Sequence, residues 1–233
     1  MQKQPRLDPR HLPKNRGLLS VVGRLLGFST EAKSRGGITA EEHAKQLQAD
    51  PEFMRRKAEQ EKALAERKAM LRVAEAPLVE DLARLGFEVE SVWFLKNNNP
   101  EFRKAIPLLL DHLRRPYPDI IRAGIAQRLA VRATRKIGWR ILVEEFRNTG
   151  YDHEHVKDSL GAALSGAADN SVIGELIALA KDRSLGKSRI MLLRGIKRSK
   201  LPEAGQAIAE LADDPELSKE IKSWRKRKTS NHS

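Results

Sequence analysis

Few residues of this chain stand at spacings that chemistry uses. Gly186-Lys187-Ser188 has the ending of a phosphate-binding loop, but the first glycine of G-x-x-x-x-G-K-S would fall at position 181, which is Lys181, and no strand leads into it. The tripeptide reads as a helix start. Asp152, His153 and His155 offer H-x-H spacing for a metal. With no third strong ligand nearby and no H-E-x-x-H, capping of a helix N-terminus is the expected role. Asp111 and His112 are neighbours on a helix, about 100° apart around its axis, so this acid does not orient this imidazole as a base. Trp93, Phe94, Trp139 and Phe146 have helical surroundings and are expected in the core. No nucleophile assembles with a base, and zero cysteines removes thiol chemistry, disulfides and zinc ribbons. The chain is expected to be non-catalytic, with no cofactor and no metal.

What remains is charge. The net charge is +13, with 44 Lys and Arg against 31 Asp and Glu, and it is spread: +6 over residues 1–75, +7 over 76–200 and zero over 201–233. A diffuse positive field favours encounter with acidic protein, nucleic acid or an anionic membrane without choosing among them. Lys187, Arg194 and Arg198, spaced by seven and four, share one helical face opposite Leu192 and Ile196. Arg122, Arg128 and Lys157 extend that candidate partner-binding face. A solvated polar face explains the same six residues equally well. Trp224-Arg225-Lys226-Arg227-Lys228 is a further basic cluster near the end.

The elements that must position these cations are helices. Residues 1–38 read as a flexible basic arm: Pro5, Pro9 and Pro13 interrupt any helix, and 17–28 is a short amphipathic stretch through Leu18, Val22, Leu25 and Leu26. Arg24 within that stretch argues against a secretory signal; docking on a protein or contact with a membrane surface stays open, as does a transit peptide. Residues 39–75 read as charged helix, opened by Thr39 as N-cap before Glu41 and Glu42, and restarted by Asp50-Pro51. Leu64, Leu71 and Leu78 repeat every seven residues without apolar partners at the other seam position, so a helix leaning on the domain behind it is expected rather than a coiled coil. From Pro77 onward helical segments alternate with Gly, Pro and Asn breaks, and no run alternates at period two for long enough to make a strand. No run of eighteen apolar residues crosses a membrane, and a reducing, cytoplasmic setting is expected.

The helical segments repeat. Leu109-Leu110-x-x-Leu113, Leu142-Val143-x-x-Phe146, Leu176-Ile177-x-x-Ala180 and Ala207-Ile208-x-x-Leu211 share one pattern, their last positions 33, 34 and 31 residues apart. Ile121, Ile125 and Leu129 correspond to Val156, Leu160 and Leu164 at an offset of 35, and Leu192 and Ile196 fit the last two at a further 32. One helix pair per period of this length is the pattern of an α-solenoid.

The stretch from Ala105 to Leu113, followed by Pro118-Asp119-Ile120-Ile121-Arg122-Ala123-Gly124-Ile125 and on to Ala130, resembles a HEAT-type repeat. Such repeats have a second helix that opens at an aspartate and continues as arginine-small-small-aliphatic. The resemblance covers about residues 100–226 and weakens toward the end, where His153-Glu154-His155 replaces the Pro-Asp pair. It implies an all-α fold, a short solenoid of about four HEAT-like helix pairs over residues 76–233. Residues 76–99 and 215–228 would be its N-terminal and basic C-terminal caps. It also implies a concave surface lined by the second helices and used to hold a partner, with no shared chemistry. The leading expectation is a non-catalytic adaptor that binds an unidentified protein. The alternative is nucleic-acid binding: some HEAT-like solenoids act on DNA as alkylpurine glycosylases, using aromatics that 3 Trp and 2 Tyr supply thinly here.

Overall fold

The computed structural model describes residues 39–229, and for Gln46 and residues 225–229 the backbone only. The expected arm 1–38, with its stretch 17–28, lies outside the described residues. Every regular element among the described residues is a helix, α or 3₁₀. None of these helices is long and apolar enough to cross a membrane. Contacts divide the chain into two compact units, Met1–Glu59 and Gln60–Ser233. The division falls inside the charged helical segment 39–75.

In the first unit, α1 (Ala40–Ala49) begins at a capping box: Thr39 Oγ1 accepts from the Glu42 amide at 3.2 Å while Glu42 accepts from the Thr39 amide at 2.9 Å. The Thr39 amide and hydroxyl hold the Glu42 carboxyl below its ordinary value. Asp50 caps the next helix, accepting from the Glu52 and Phe53 amides at 2.9 and 3.3 Å. That helix, α2 (Pro51–Arg84), is 34 residues long and continues into the second unit. Pro77, from which the repeat region is read, sits inside it. A proline removes the bond to the carbonyl four residues back, here Val73, whose position is exposed and open to water.

In the second unit, α2 carries Leu71, Leu78 and Leu82 onto the core while Leu64 stays exposed, so the heptad spacing serves one packed edge. Glu75, also buried, accepts from Ser91 Oγ at 3.0 Å and the Val92 amide at 2.7 Å, fastening the loop that follows. Four helical hairpins come next. α3 (Ala105–Leu113) pairs with α4 (Asp119–Arg128), and α5 (Arg132–Asn148) with α6 (Glu154–Ala167). α7 (Ile173–Lys181) pairs with the 3₁₀ turn Lys187–Leu192 and α8 (Leu193–Arg198); α9 (Pro202–Glu210) is followed by α10 (Ser218–Thr229). Between the hairpins, α3 packs on α5 and α7 on α9, α4 packs on α6, α6 on the 187–192 turn and α8, and α8 on α9.

One apolar spine runs through all of this, built from the positions that repeat in the sequence, among them Leu109, Leu142, Leu176, Ile125, Leu160 and Leu192, each with no exposed surface. Burying a side chain of this kind contributes roughly 1.5–3 kcal/mol. Trp139 and Phe146 lie in this core as expected, whereas Phe94 does not: it is 67% exposed.

Close approach of α4 and α6 requires glycine at 166, where a Cβ would strike the backbone carbonyl of Ala130. Gly205, on α9, faces open space. Gly166→Ala is therefore expected to destabilise by about 1–3 kcal/mol, because the obstructing atom is main chain. Gly205→Ala is expected to stabilise by about 0.5–1 kcal/mol through helix propensity. Denaturant midpoints measured side by side check both signs.

Candidate partner-binding groove

The second helices are tied in place by cations that the sequence suggested for a binding face. Arg122 donates from Nη2 to Glu145 at 3.0 Å and from Nε to the Leu113 carbonyl at 3.3 Å. Lys157 is only 3% exposed; its Nζ donates to the Thr149 carbonyl at 2.9 Å and lies 5.0 and 5.7 Å from the ring centres of Tyr151 and Phe146. Burial lowers its pKa, with Asp182 pulling the other way. Lys157 therefore leaves the candidate surface, because the turn around Tyr151 and the end of α5 close over it.

Offsets of 35 and 32 carry Arg122 to Lys157 and then to Arg189, a residue the sequence reading did not single out. Arg189 is 1% exposed and uses all five of its N–H groups. Nε donates to the Gly186 carbonyl, and Nη1 to the Ala180 carbonyl, both at 2.9 Å. Asp214 accepts from Nη1 and Nη2 at 3.1 and 3.3 Å, and Glu216 from Nη2 at 2.5 Å. Burial opposes the charges of both Arg189 and Asp214. Their mutual bonds outweigh it, leaving the guanidinium pKa raised and the Asp214 carboxyl lowered. Each of the three cations thus caps the carbonyl end of the first helix in its own hairpin, at Leu113, Thr149 or Ala180. Arg122 and Arg189 also grip a carboxylate of the hairpin that follows.

The other candidates divide. Arg128 donates to the Leu95 carbonyl at 3.1 Å, and Arg198 to the Ser165 carbonyl at 2.6 Å, each reaching back one hairpin. Lys187 is paired with Glu154 at 2.7 Å, and that pairing raises its pKa. Its turn begins at Gly186, whose φ of 68° belongs to the left-handed region, so Gly186-Lys187-Ser188 is the helix start that was expected. Arg194 is exposed and has no hydrogen-bond or ion-pair partner among the described residues. The side chains of the basic cluster 225–228 lie outside the description.

His153 does not cap α6 through its side chain. Its Nδ1 sits 2.9 Å from both oxygens of Asp119 and its Nε2 3.2 Å from Asp152, so it links two hairpins and its pKa is raised, chiefly by the bond to Asp119. Among the described residues, no group of three His, Asp or Glu side chains could hold a metal. His112 is fully buried between Asp81 Oδ2, 3.0 Å from Nε2, and the Tyr117 hydroxyl, 2.8 Å from Nδ1. A carboxylate only accepts, so Nε2 carries the proton and Nδ1 accepts from Tyr117. Burial lowers the His112 pKa against the pull of Asp81.

The two imidazoles therefore act in opposite directions. His112, with its folded pKa depressed, contributes stability that is complete above the ordinary histidine value and is lost as pH falls below it. His153, with its folded pKa raised, contributes stability that is complete below that value and is lost as pH rises through the folded pKa. Between pH 5.5 and 8 we expect His153→Gln to steepen the rise of stability with pH and His112→Gln to flatten or invert it. Urea midpoints across that window provide the check.

Along the second helices runs a chain of hollows that share walls. The first, about 670 Å³, lies among Leu71, Val73, Trp93, Phe94 and Ile120. Trp93 and Ile120 also bound the second, about 510 Å³, with Asp119, Asp158, Ala162 and Met191. Ala162 and Met191 continue into a third of about 390 Å³, bounded by Arg194 and Arg198, and Arg194 and Glu220 into a fourth of about 320 Å³ with Lys197 and Trp224. A further polar hollow of about 350 Å³, lined by Arg132, Asp169 and Asn170, shares Arg198 with the third. There Asp169 is bound by Arg135 and Ser171, and Asn170 by Ser199. No family model, no curated protein and no solved structure matches the chain.

Proposed function

We propose that residues 76–233 form a short HEAT-like α-solenoid and that the chain is a non-catalytic adaptor holding a protein partner in the groove along its second helices. The observation that carries the solenoid is the reach of its polar bonds. A stack of repeats contacts only its neighbours, so its long-range contacts should span one period. The bonds Arg128 to Leu95, Gln127 to Ser159, His153 to Asp119, Tyr151 to Ser184 and Arg198 to Ser165 span 33, 32, 34, 33 and 33 residues. The widest named here, Trp139 to Glu175, spans 36.

The groove carries the binding role, because it is continuous and joins exposed apolar side chains at one end to unpaired cations at the other. A phosphate backbone is a poorer fit than a protein. Five of the six candidate cations are spent on carbonyls, Glu145 or Glu154. A photo-crosslinking residue at Ala162, inside the groove, is compared with one at exposed Lys136 on α5. A protein of the native host captured at 162 but not at 136, and released by Met191→Asp, is the expected result. Capture that ignores position, or none at 162, overturns the proposal.

A further inference from the structure

We infer that the segment taken up by this groove is acidic and amphipathic, seating apolar side chains against Val73, Phe94 and Ile120 and carboxylates at Arg194 and Lys197. This rests on the groove being the face that holds the partner. The apolar end is exposed to a degree water does not favour: Val73 is 76% exposed, Phe94 67% and Ile120 44%, around one hollow. A contiguous apolar surface of this kind marks an interaction site.

The charge balance of the groove sets the sign of the partner. Four of its carboxylates are engaged, Glu75 by Ser91 and Val92, Glu90 by Arg72, Asp119 by His153 and Glu220 by the Trp224 ring N–H at 2.9 Å, while Asp158 has no hydrogen-bond or ion-pair partner among the described residues. Of its cations, Arg72 is paired with Glu90 and Arg198 donates to the Ser165 carbonyl, but four stay open. Arg67, Lys68 and Arg194 have no hydrogen-bond or ion-pair partner among the described residues, and Lys197 lies 4.0 Å over the Trp224 ring, leaving its ammonium open to an anion. The middle of the groove sets Arg67 beside Asp158, Ser159, Ala162 and Met191. A phosphate at Asp158 would be repelled, while a peptide places its carboxylates only where cations meet them. From α4 to α8 is two helix-to-helix steps, about 16–20 Å at 8–10 Å each. That is about 11–13 residues of helix.

The test uses the full chain and fluorescein-labelled synthetic 16-residue peptides read by anisotropy. The first peptide carries Leu and Phe four residues apart, then Glu on the same face in the following turns. A second replaces its Glu with Lys, a third replaces its Leu and Phe with Ser, and a labelled oligothymidylate supplies phosphate. The acidic amphipathic peptide is expected to bind at least tenfold more tightly than the other two peptides and more tightly than the oligothymidylate. Arg194→Glu with Lys197→Glu, and separately Phe94→Ser, should each weaken it at least tenfold. Lys136→Glu with Arg140→Glu, exposed on α5, should leave it within twofold. All these side chains are at the surface, and matched thermal melts confirm that each variant folds.

Equal binding of the Lys peptide, tighter binding of the oligothymidylate, or indifference to Arg194→Glu with Lys197→Glu overturns the inference. If no peptide binds while the cross-link at 162 persists, the acidic class falls and the groove reading stands. If the cross-link is absent too, both fall.

Discussion

Arg189→Ala is expected to destabilise the second unit by about 3–5 kcal/mol, the cost of removing one member of a buried ion pair. The substitution takes the closest cation from the Asp214 carboxylate, which is 5% exposed, leaving it Arg183 at 3.4 Å and the Glu216 amide, and leaves the Ala180 carbonyl without its cap. Much of the loss comes from the charge left behind, so Arg189→Met combined with Asp214→Asn should be less damaging than the sum of the two single changes. A double-mutant cycle in urea measures that coupling. The damage should also be local. In the stack of hairpins proposed above, loss of one junction frees what lies beyond it, so amide exchange should accelerate in α9 and α10 well before α3 and α4. Uniform acceleration through all four hairpins would speak against a one-dimensional stack.

Phe146→Ala should cost a similar 3–5 kcal/mol, as expected for emptying a fully buried aromatic site. Phe146 has no exposed surface, lies under Gly161 of α6 and is one of the two rings beside the Lys157 ammonium. Its removal opens a void and bares a buried cation to it. Phe146→Leu, which refills most of that space, should cost distinctly less, and the order Ala worse than Leu is read from denaturant midpoints at unchanged slope. A loss under 1 kcal/mol for Phe146→Ala would mean that α5 and α6 do not share the core described.

The two variants probe different layers of the fold. Phe146 fills the apolar spine, and Arg189 closes the polar seam beside it. That seam explains why so basic a chain shows so few free cations along its second helices. Part of its charge joins one hairpin to another, and the groove keeps only what is left at Arg67, Lys68, Arg194 and Lys197.

The residues alone determined that the described chain is helical, where most hairpins begin and end, and which aliphatic positions form the spine. Each of these follows from local period and from side chains that must leave water: Leu109, Leu142 and Leu176 repeat because their hairpins do. Thr39 and Asp50 announced their helices because capping is decided within three residues. That α2 runs on through Pro77 was not legible, since whether a helix continues past proline depends on whether the freed carbonyl reaches water. The fate of the cations belonged to the tertiary structure. Arg122, Lys157 and Arg189 occupy one column of the repeat, and that recurrence was the available signal for a seam. A long cationic side chain looks the same in sequence whether it reaches a carbonyl of its own hairpin, a carboxylate of the next, or solvent. Phe94 and Ile120 likewise read as ordinary helix residues, and only the meeting of three elements at Val73, Phe94 and Ile120 made an exposed hollow of them. Burial and pairing depend on which distant segments share a point in space, and no local pattern encodes that.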